Sequence, residues 1–247
     1  MGYNLTIDQG NTAIKAVIWE HRSMTDSATM AGDFSAAEMA AFIGGRTIDG
    51  AIACSVGADL NPVMSFLHQA GIPRIIEMSH DTPTPVINDY RSARTLGLDR
   101  LAAAAGAIDM MPGRDLLVAD LGTACTYDIV TASGHFLGGN IAPGVGMRLR
   151  ALHRDTARLP EINSHGRVEQ FGADTESAMR SGAVRGVAAE TLYYRTLGCD
   201  SPRPVIITGG WASDIRALLP HNDPEIIETR HLVNQGLNSI LLYNENI

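Results

Sequence analysis

The 247-residue chain is poor in aromatic and basic residues, and both shortages narrow what it can bind. Aromatic residues make up 5% of it, too few for a platform that stacks the bases of single-stranded nucleic acid. Lysine and arginine number 19 against 27 acidic residues, and the formal net charge is −8. Because phosphate backbones bind to basic surfaces, we expect no nucleic-acid partner.

Cysteines and long apolar segments are also scarce. Cys54, Cys125 and Cys199 follow one another at intervals of 71 and 74 positions, which gives neither a CxxC motif nor a disulfide framework. The longest near-apolar run, RLAAAAGAIDMM, is far shorter than the ~20 residues of a membrane span. The N-terminus shows no charged region followed by an apolar segment, as a secretory signal would. We therefore expect a soluble, cytoplasmic protein with reduced thiols and no membrane partner.

Several common catalytic motifs are missing as well. The sequence contains no GxxxxGK[ST] phosphate loop, no GxSxG elbow and no histidine–cysteine cluster with zinc-ligand spacing. GVGMRL has only a broken start of GxGxxG, which is too weak to indicate a dinucleotide fold.

One short stretch near the start of the chain needs an explanation. LTIDQGNTAIKAVIWE has two apolar runs around the polar turn DQGNT, which predicts a β-hairpin. The turn requires only glycine or asparagine for its backbone, so Gly10 and Asn11 are accounted for and Asp8 and Thr12 are not.

The same pattern recurs in the second half of the chain. Segment 116–130, LLVADLGTACTYDIV, has the same apolar flanks and the same DxG turn. A shift of 112 positions aligns Asp8 with Asp120, Gly10 with Gly122, Leu5 with Leu117, Val17 with Ile129 and Ile18 with Val130. We therefore predict a duplicated α/β domain, with halves at 1–112 and 113–247 and a ligand cleft between them. The alternative is that both turns carry these residues for backbone geometry alone.

The turn residues suit a phosphate ligand. Backbone N–H groups of a tight turn point outward, glycine allows close approach, and Lys15 adds a positive charge. An aspartate beside phosphates is repulsive unless a cation bridges them. Asp8 and Asp120 therefore imply a metal ion, and Mg²⁺ held through water is the natural choice.

With a late TGG, the two turns resemble the phosphate and adenosine motifs of the superfamily of acetate and sugar kinases, heat-shock chaperones and actin. Within it, five blocks in order resemble type III pantothenate kinase: LGLDR (96–100), DLGTACTYD (120–128), GHFLGGNIAPGVGMRL (134–149), TARLP (156–160) and GADTESAMRSG (172–182). The resemblance implies two ribonuclease H-like domains with an interdomain nucleotide cleft, and ATP-dependent phosphorylation of pantothenate, the first step of coenzyme A biosynthesis.

The resemblance also implies the ligands of each residue. Asp120 is expected to bind a monovalent cation, K⁺ or NH₄⁺, while Mg²⁺ accompanies ATP. TGG (208–210) is expected near the adenine, although Trp211 follows where many relatives have a small polar residue. The implied ATP-binding residues are Asp8, Gln9, Gly10, Asn11, Thr12, Ala13, Ile14, Lys15 and Thr123.

The substrate site is implied in the same way. Asp99 is the expected catalytic residue, and its place near a helix N-terminus predicts that it stays ionised at neutral pH. Thr175 is expected to reach pantothenate across a homodimer interface. The implied pantothenate-binding residues are Tyr90, Gly97, Leu98, Asp99, Arg100 and Thr175.

Three other functions remain open on the sequence alone. One is another small-molecule kinase of the same superfamily; the LGLDR block and Thr175 argue against it. Another is a non-catalytic nucleotide-binding regulatory protein on the same scaffold. The presence of Asp8, Lys15, Asp99 and Asp120 argues against it. The third is an actin-like filament protein, for which the chain is short.

Overall fold

The computed structural model describes residues 2–10 and 12–245, and their contacts divide the chain into two compact units. The first unit comprises the chain up to Gly113, Ser133–Phe136 and the C-terminal segment from His231. The second comprises Arg114–Ala132 and Leu137–Arg230. The first stretch of the first unit ends at Gly113, and the C-terminal segment from His231 belongs to the same unit; the division into domains at 112 and 113 stays a prediction.

Within the described residues the secondary structure is mixed α/β. The strands are β1 (Tyr3–Gln9), β2 (Ala13–Glu20), β3 (Ser23–Ala31), β4 (Ile48–Ser55), β5 (Arg74–Glu77), β6 (Ile87–Asn88), β7 (Leu116–Leu121), β8 (Ala124–Val130), β9 (His135–Pro143), β10 (Val205–Thr208) and β11 (Ile226–Glu228). The helices are α1 (Ala36–Ile43), α2 (Asn61–Gln69), α3 (Leu98–Met110), α4 (Val145–Arg154), α5 (Thr175–Thr196), α6 (Ala212–Arg216) and α7 (Leu232–Tyr243), with a short 3-10 helix at Ala93–Thr95.

The strand order demonstrates the predicted duplication. The first sheet runs β3-β2-β1-β4-β5, and the second contains the run β9-β8-β7-β10-β11, which is the same arrangement. In each, a central strand pairs antiparallel with the strand after it and parallel with a later one. The predicted α/β class with two copies of one fold is therefore confirmed.

The two hairpins differ in loop length, which corrects the alignment of their second strands. Leu5 pairs with Ile18 in the first hairpin, whereas Leu117 pairs with Ile129 in the second. The second loop is thus one residue shorter, and Ile18 corresponds to Ile129 rather than to Val130. An alignment of the two halves with one constant shift cannot detect this difference in loop length, because Val17, Ile18, Ile129 and Val130 are all apolar.

Strand β3 begins at Ser23 and ends at Ala31. Its hairpin turns at His21, whose φ is 54°, and Glu20 then pairs with Ser23. Only Met30 of this strand is buried, so alternation of polar and apolar residues gives little signal for where it starts.

The two faces of the first sheet differ in character. Leu5 and Ile7 of β1 pack into an apolar core with Met39 of α1 and Val63 and Leu67 of α2. Asn4, Thr6 and Asp8 alternate with them and face the opposite side, where α3 and α7 lie. The second unit has a separate core, in which Leu117 and Val205 of the sheet pack with Val184 and Val187 of α5.

Helices α3 and α7 cross at two glycines, which allow their backbones to touch. A Cβ on Gly106 would lie 2.9 Å from the backbone nitrogen of Gly236, and a Cβ on Gly236 would overlap the carbonyl oxygen of Ala102. This close crossing explains why the C-terminal helix belongs to the first unit. Among the described residues, no helix has the length and apolar character that a bilayer crossing requires.

We expect Gly236→Ala to destabilise the protein by about 1–3 kcal/mol, because the added methyl group forces the two helix backbones apart. Urea unfolding followed by circular dichroism measures the change. Gly182→Ala in α5 is the matched control, since a Cβ added there would meet no atom of the described residues within 4 Å and alanine favours helix. Equal unfolding midpoints for Gly236→Ala and the unsubstituted protein would contradict the assigned crossing.

Candidate active site

The first hairpin turn is fixed by its own backbone. The N–H of Gly10 donates to the carbonyl oxygen of Ala13, 3.1 Å away, and Asp8 pairs directly with Lys15 across the strands. Thr12 is exposed and Ala13 half-buried, so their N–H groups and hydroxyl lie near solvent. Ile14 is fully buried in the core and pairs with Gln9 on one side and Met30 on the other, so its side chain does not face a ligand. Asn11 lies outside the described residues.

Asp8 is a buried carboxylate among charged neighbours. It is 8% exposed, and the Cys54 thiol donates to its Oδ1 over 3.8 Å. Burial raises the pKa of Asp8 to about 6, the nearby Asp99 carboxylate adds to this, and Lys15 opposes it. Asp8, Lys15 and Asp99 are therefore close enough to influence one another, although Asp8 and Asp99 are 91 positions apart.

Gln9 differs from its neighbour Asp8 because adjacent residues of a strand face opposite sides. It is 8% exposed, and its Oε1 is buried without a hydrogen-bond partner among the described residues. Cross-strand pairing with Ile14 places it on the side of the apolar core. The side chains of Gln9 and Asp8 therefore do not point at the same ligand.

Asp99 lies in the first turn of α3, shortly after Gly97 at the N-cap. Its Oδ1 accepts a hydrogen bond of 2.8 Å from the backbone N–H of Arg100, and a Cβ on Gly97 would collide with the same oxygen. Leu98 between them is half-buried. Burial raises the pKa of Asp99, against the opposing effect of the Arg100 N–H and guanidinium. Desolvation therefore outweighs the helix N-terminus on which the sequence expectation rested.

Arg100 is buried beside two aromatic rings. Its guanidinium carbon lies 5.7 Å from the ring centre of Tyr90 and 5.6 Å from that of Phe136, and the two rings meet edge to face. The backbone N–H of Tyr90 donates to Asn88 Oδ1, which fixes the start of this loop. The structure thus brings Tyr90 and Arg100 together. Phe136 was missed, since a buried phenylalanine in a strand has no sequence signal that separates it from core.

In the second unit, Asp120 lies at the end of β7 among glycines. A Cβ on Gly122 would lie 3.2 Å from Asp120 Oδ1, and one on Gly209 2.5 Å from it. Gly209 has a φ of 93°, which suits glycine, and the N–H of Trp211 donates to the carbonyl oxygen of Leu121. The TGG segment therefore packs directly against the second DxG turn.

The remaining predicted residues of this unit are exposed. Thr123 is exposed in the second turn, and its carbonyl oxygen accepts from the N–H of Gly144. Thr175 is the exposed first residue of α5, whose N-terminus is capped by the Asp174 carboxylate. Trp211 stacks on His165 with ring centres 4.6 Å apart, so its ring has a packing role in this unit.

Among residues 2–10 and 12–245, no three histidine, cysteine or acidic side chains are arranged to hold a metal ion. Asp8 and Asp99 still fit a hard cation, because both present carboxylate oxygens and their mutual repulsion contributes to the raised pKa of Asp8. A divalent ion that brings its own water or phosphate ligands would complete such a site.

Comparison with known proteins decides the family. Residues 4–194 match the family model of type III pantothenate kinase. The chain belongs to this family. A type III pantothenate kinase from Bacteroides fragilis is 39% identical over 244 residues, which cover 98% of each chain.

Solved structures support the fold independently. A protein from Campylobacter jejuni described as a Baf family transcriptional activator superposes with a TM-score of 0.65 at 20% identity, covering 98% of this chain and 100% of that one. Component A of (R)-2-hydroxyglutaryl-CoA dehydratase from Acidaminococcus fermentans gives 0.58 at 16% identity, covering 98% and 97%. At these identities the likeness concerns the fold, which is the two-domain ribonuclease H-like arrangement.

We expect Asp8→Asn to stabilise the protein at pH 8 in the presence of a chelator. A carboxyl group with a raised pKa binds its proton more tightly when folded, so stability falls as pH rises from about 4 through about 6. Removal of the charge should recover on the order of 2–3 kcal/mol above that window and little at pH 4. Thermal unfolding across pH measures this.

The matched control is Asp81→Asn, which changes an exposed aspartate and should leave the pH profile unaltered. A lower melting temperature for Asp8→Asn at pH 8 would show that the Asp8 carboxylate is not under electrostatic strain.

Proposed function

We propose that this protein transfers the γ-phosphoryl group of ATP to the primary hydroxyl of pantothenate, producing phosphopantothenate and ADP. This reaction begins coenzyme A biosynthesis. The observation that carries the proposal is the half-buried Asp99 in the first turn of α3, close to the Asp8–Lys15 pair, in a chain of this family.

Asp99 is the proposed catalytic residue. Phosphoryl transfer passes through a loose transition state, so positioning and charge stabilisation provide most of the rate. The Asp99 carboxylate accepts a hydrogen bond from the pantothenate hydroxyl, directs it at the γ-phosphorus and takes its proton as the new bond forms. The raised pKa of Asp99 makes it a better proton acceptor than an exposed aspartate.

Arg100 and Tyr90 are proposed to bind pantothenate. The planar guanidinium of Arg100 suits a carboxylate, and the rings of Tyr90 and Phe136 hold it in place. Gly97 and Leu98 form the turn that presents Asp99 and Arg100. Thr175, exposed at the start of α5, is proposed to contribute to pantothenate binding across a homodimer interface.

The first hairpin turn is proposed to bind the phosphates of ATP. Its N–H groups and the Lys15 ammonium supply positive charge, and Thr12 adds a hydroxyl. Mg²⁺ bound with ATP neutralises phosphate charge, and Asp8 is the residue that would hold it through water. In the second unit, Thr123 is proposed to contact ATP and Asp120 to bind K⁺ or NH₄⁺. A cytoplasmic location follows from the same proposal.

The alternative is a nucleotide-binding regulatory protein on this scaffold. The Campylobacter jejuni neighbour carries a regulatory description, but its likeness extends to the fold alone. A regulator that only binds a nucleotide does not require a partly desolvated Asp99 near the Asp8–Lys15 pair, whereas a kinase requires a proton acceptor there. The enzyme is therefore favoured.

We expect the purified protein to release ADP from Mg-ATP only when pantothenate is present. Replacement of K⁺ by Na⁺ should slow this release if Asp120 binds the monovalent cation, and Asp120→Asn should remove the difference between the two salts. Asp214→Asn, an exposed aspartate of the same unit, is the control. ADP release without pantothenate, or tight ATP binding with no turnover, would contradict the kinase assignment.

We expect Asp99→Asn to reduce kcat by about 10²–10⁴-fold, because the amide cannot accept the hydroxyl proton. Single-turnover measurements with preformed enzyme–ATP complex separate this step from binding. Unchanged thermal stability or a small increase is expected, since the substitution removes a partly desolvated charge. A loss of only a few-fold would show that Asp99 orients the hydroxyl without taking its proton.

A further inference from the structure

Asn234 of helix α7 contacts the backbone directly beneath the proposed phosphate-binding turn. Its side chain has no exposed surface. Its Nδ2 donates to the carbonyl oxygen of Lys15 at 3.2 Å and lies 3.1 Å from Thr6 Oγ1 and 3.3 Å from the Thr6 carbonyl oxygen. One amide therefore joins β1 and β2 at the level of the Asp8–Lys15 pair.

Packing does not explain an asparagine at this position. Leu237, Ile240 and Leu241 of the same helix are fully buried and apolar, as a helix that only covers a sheet requires. Within the described part of the chain, the Oδ1 of Asn234 is buried without a hydrogen-bond partner, so the residue retains an unmet desolvation penalty. Lys15 already pairs with Asp8 on one side and Thr29 on the other, so the Asn234 bond is additional to the ladder.

The orientation of the amide is determined by its neighbours. The carbonyl oxygens of Lys15 and Thr6 can only accept, so the Nδ2 group must face them. Thr6 Oγ1 also accepts from Trp19 Nε1 at 2.9 Å, which fixes it between the indole and the amide. Asn234 thus contacts two residues of the hairpin: the backbone of Lys15, and Thr6, which lies two positions before Asp8.

The same helix provides an internal comparison. Asn238, one turn later, donates from Nδ2 to the carbonyl oxygen of His21 at 2.8 Å and accepts from Asn4 at 3.2 Å. It is 3% exposed and contacts the end of the hairpin remote from the Asp8–Lys15 pair. Both polar side-chain atoms of Asn238 have hydrogen-bond partners, so Asn238 stabilises the helix–sheet contact without leaving a buried polar atom unpaired.

We propose that Asn234 is a positioning residue that holds the Lys15 backbone and thereby directs the Lys15 ammonium at the ATP phosphates. The proposal rests on the ATP-binding role given to this turn. Lysine has a flexible stem, so its charge acts at a defined point only when the main chain that carries it is fixed. Asn234 supplies this constraint from the C-terminal helix.

The test compares Asn234→Leu with Asn238→Leu. Both substitutions remove one buried amide from the same helix face. We expect Asn234→Leu to raise the Kd of ATP and the KM for ATP by about 5–10-fold, the equivalent of one lost hydrogen bond, with the KM for pantothenate changed less than about twofold. Asn238→Leu should leave all three constants near those of the unsubstituted protein, whatever its effect on melting temperature.

A double-mutant cycle with Lys15→Ala identifies the route. If Asn234 acts through Lys15, then Asn234→Leu should weaken ATP binding in the original protein and add no further loss in the Lys15→Ala background. Additive losses, or equal effects of Asn234→Leu and Asn238→Leu, would overturn the proposal. Should Asn234→Leu not fold, Asn234→Ala, which leaves room for water, takes its place.

The two proposals fail in distinguishable ways. Calorimetric titration with ATP alone reports on Asn234 even if pantothenate is not the acceptor. A protein that binds ATP and shows the Asn234 effect without pantothenate-dependent turnover would retain this inference and refute the proposed reaction. Pantothenate-dependent turnover with no Asn234 effect on ATP would do the reverse.

Discussion

The first unit depends on one electrostatic constraint, the burial of the Asp8 carboxylate near that of Asp99. Burial disfavours the charged form of Asp8 and is the main reason that its pKa is raised; the Asp99 carboxylate adds to this, and Lys15 opposes it without cancelling the effect of burial. Such an arrangement opposes folding in isolation and becomes favourable when a cation arrives. In the proposed reaction with Mg-ATP, this electrostatic strain in the unliganded protein would be available as binding energy, because the bound cation would relieve it.

The Asp8 carboxylate stays in this unfavourable place only if the structure around it is rigid, and the C-terminal helix provides much of that rigidity. Helix α7 returns to the first unit, crosses α3 where Gly106 and Gly236 allow backbone contact, and binds the β1–β2 hairpin through buried amides. Helix α3 carries Asp99 in its first turn. The crossing of α3 with α7 therefore connects the turn proposed to bind phosphate with the helix that carries the proposed catalytic carboxylate, through a single packed interface.

The sequence predicts local features well and distant contacts poorly. The duplication could be found because a hairpin with a DxG turn is local, and its apolar flanks repeat. The LGLDR block likewise placed Gly97, Asp99 and Arg100 at the start of a helix, which the structure bears out. The contact of Arg100 with Phe136 and the bond from Asn234 to Lys15 join residues 36 and 219 positions apart, and no periodicity reports such contacts. The effect of burial on Asp99 was missed for the same reason: distant segments determine how much water reaches it.

The two hairpins also differ in the residue that faces the aspartate of the turn. In the first, Asp8 faces Lys15 across the strands, whereas in the second, whose loop is one residue shorter, Asp120 faces the neutral Thr126. The first turn therefore carries its own ammonium, which suits the multiply charged phosphates of ATP. The second surrounds its aspartate with glycines that leave room beside the carboxylate. The two turns therefore differ in the residue that faces the aspartate, so that only the first can bring a cationic side chain from its own hairpin to a bound phosphate.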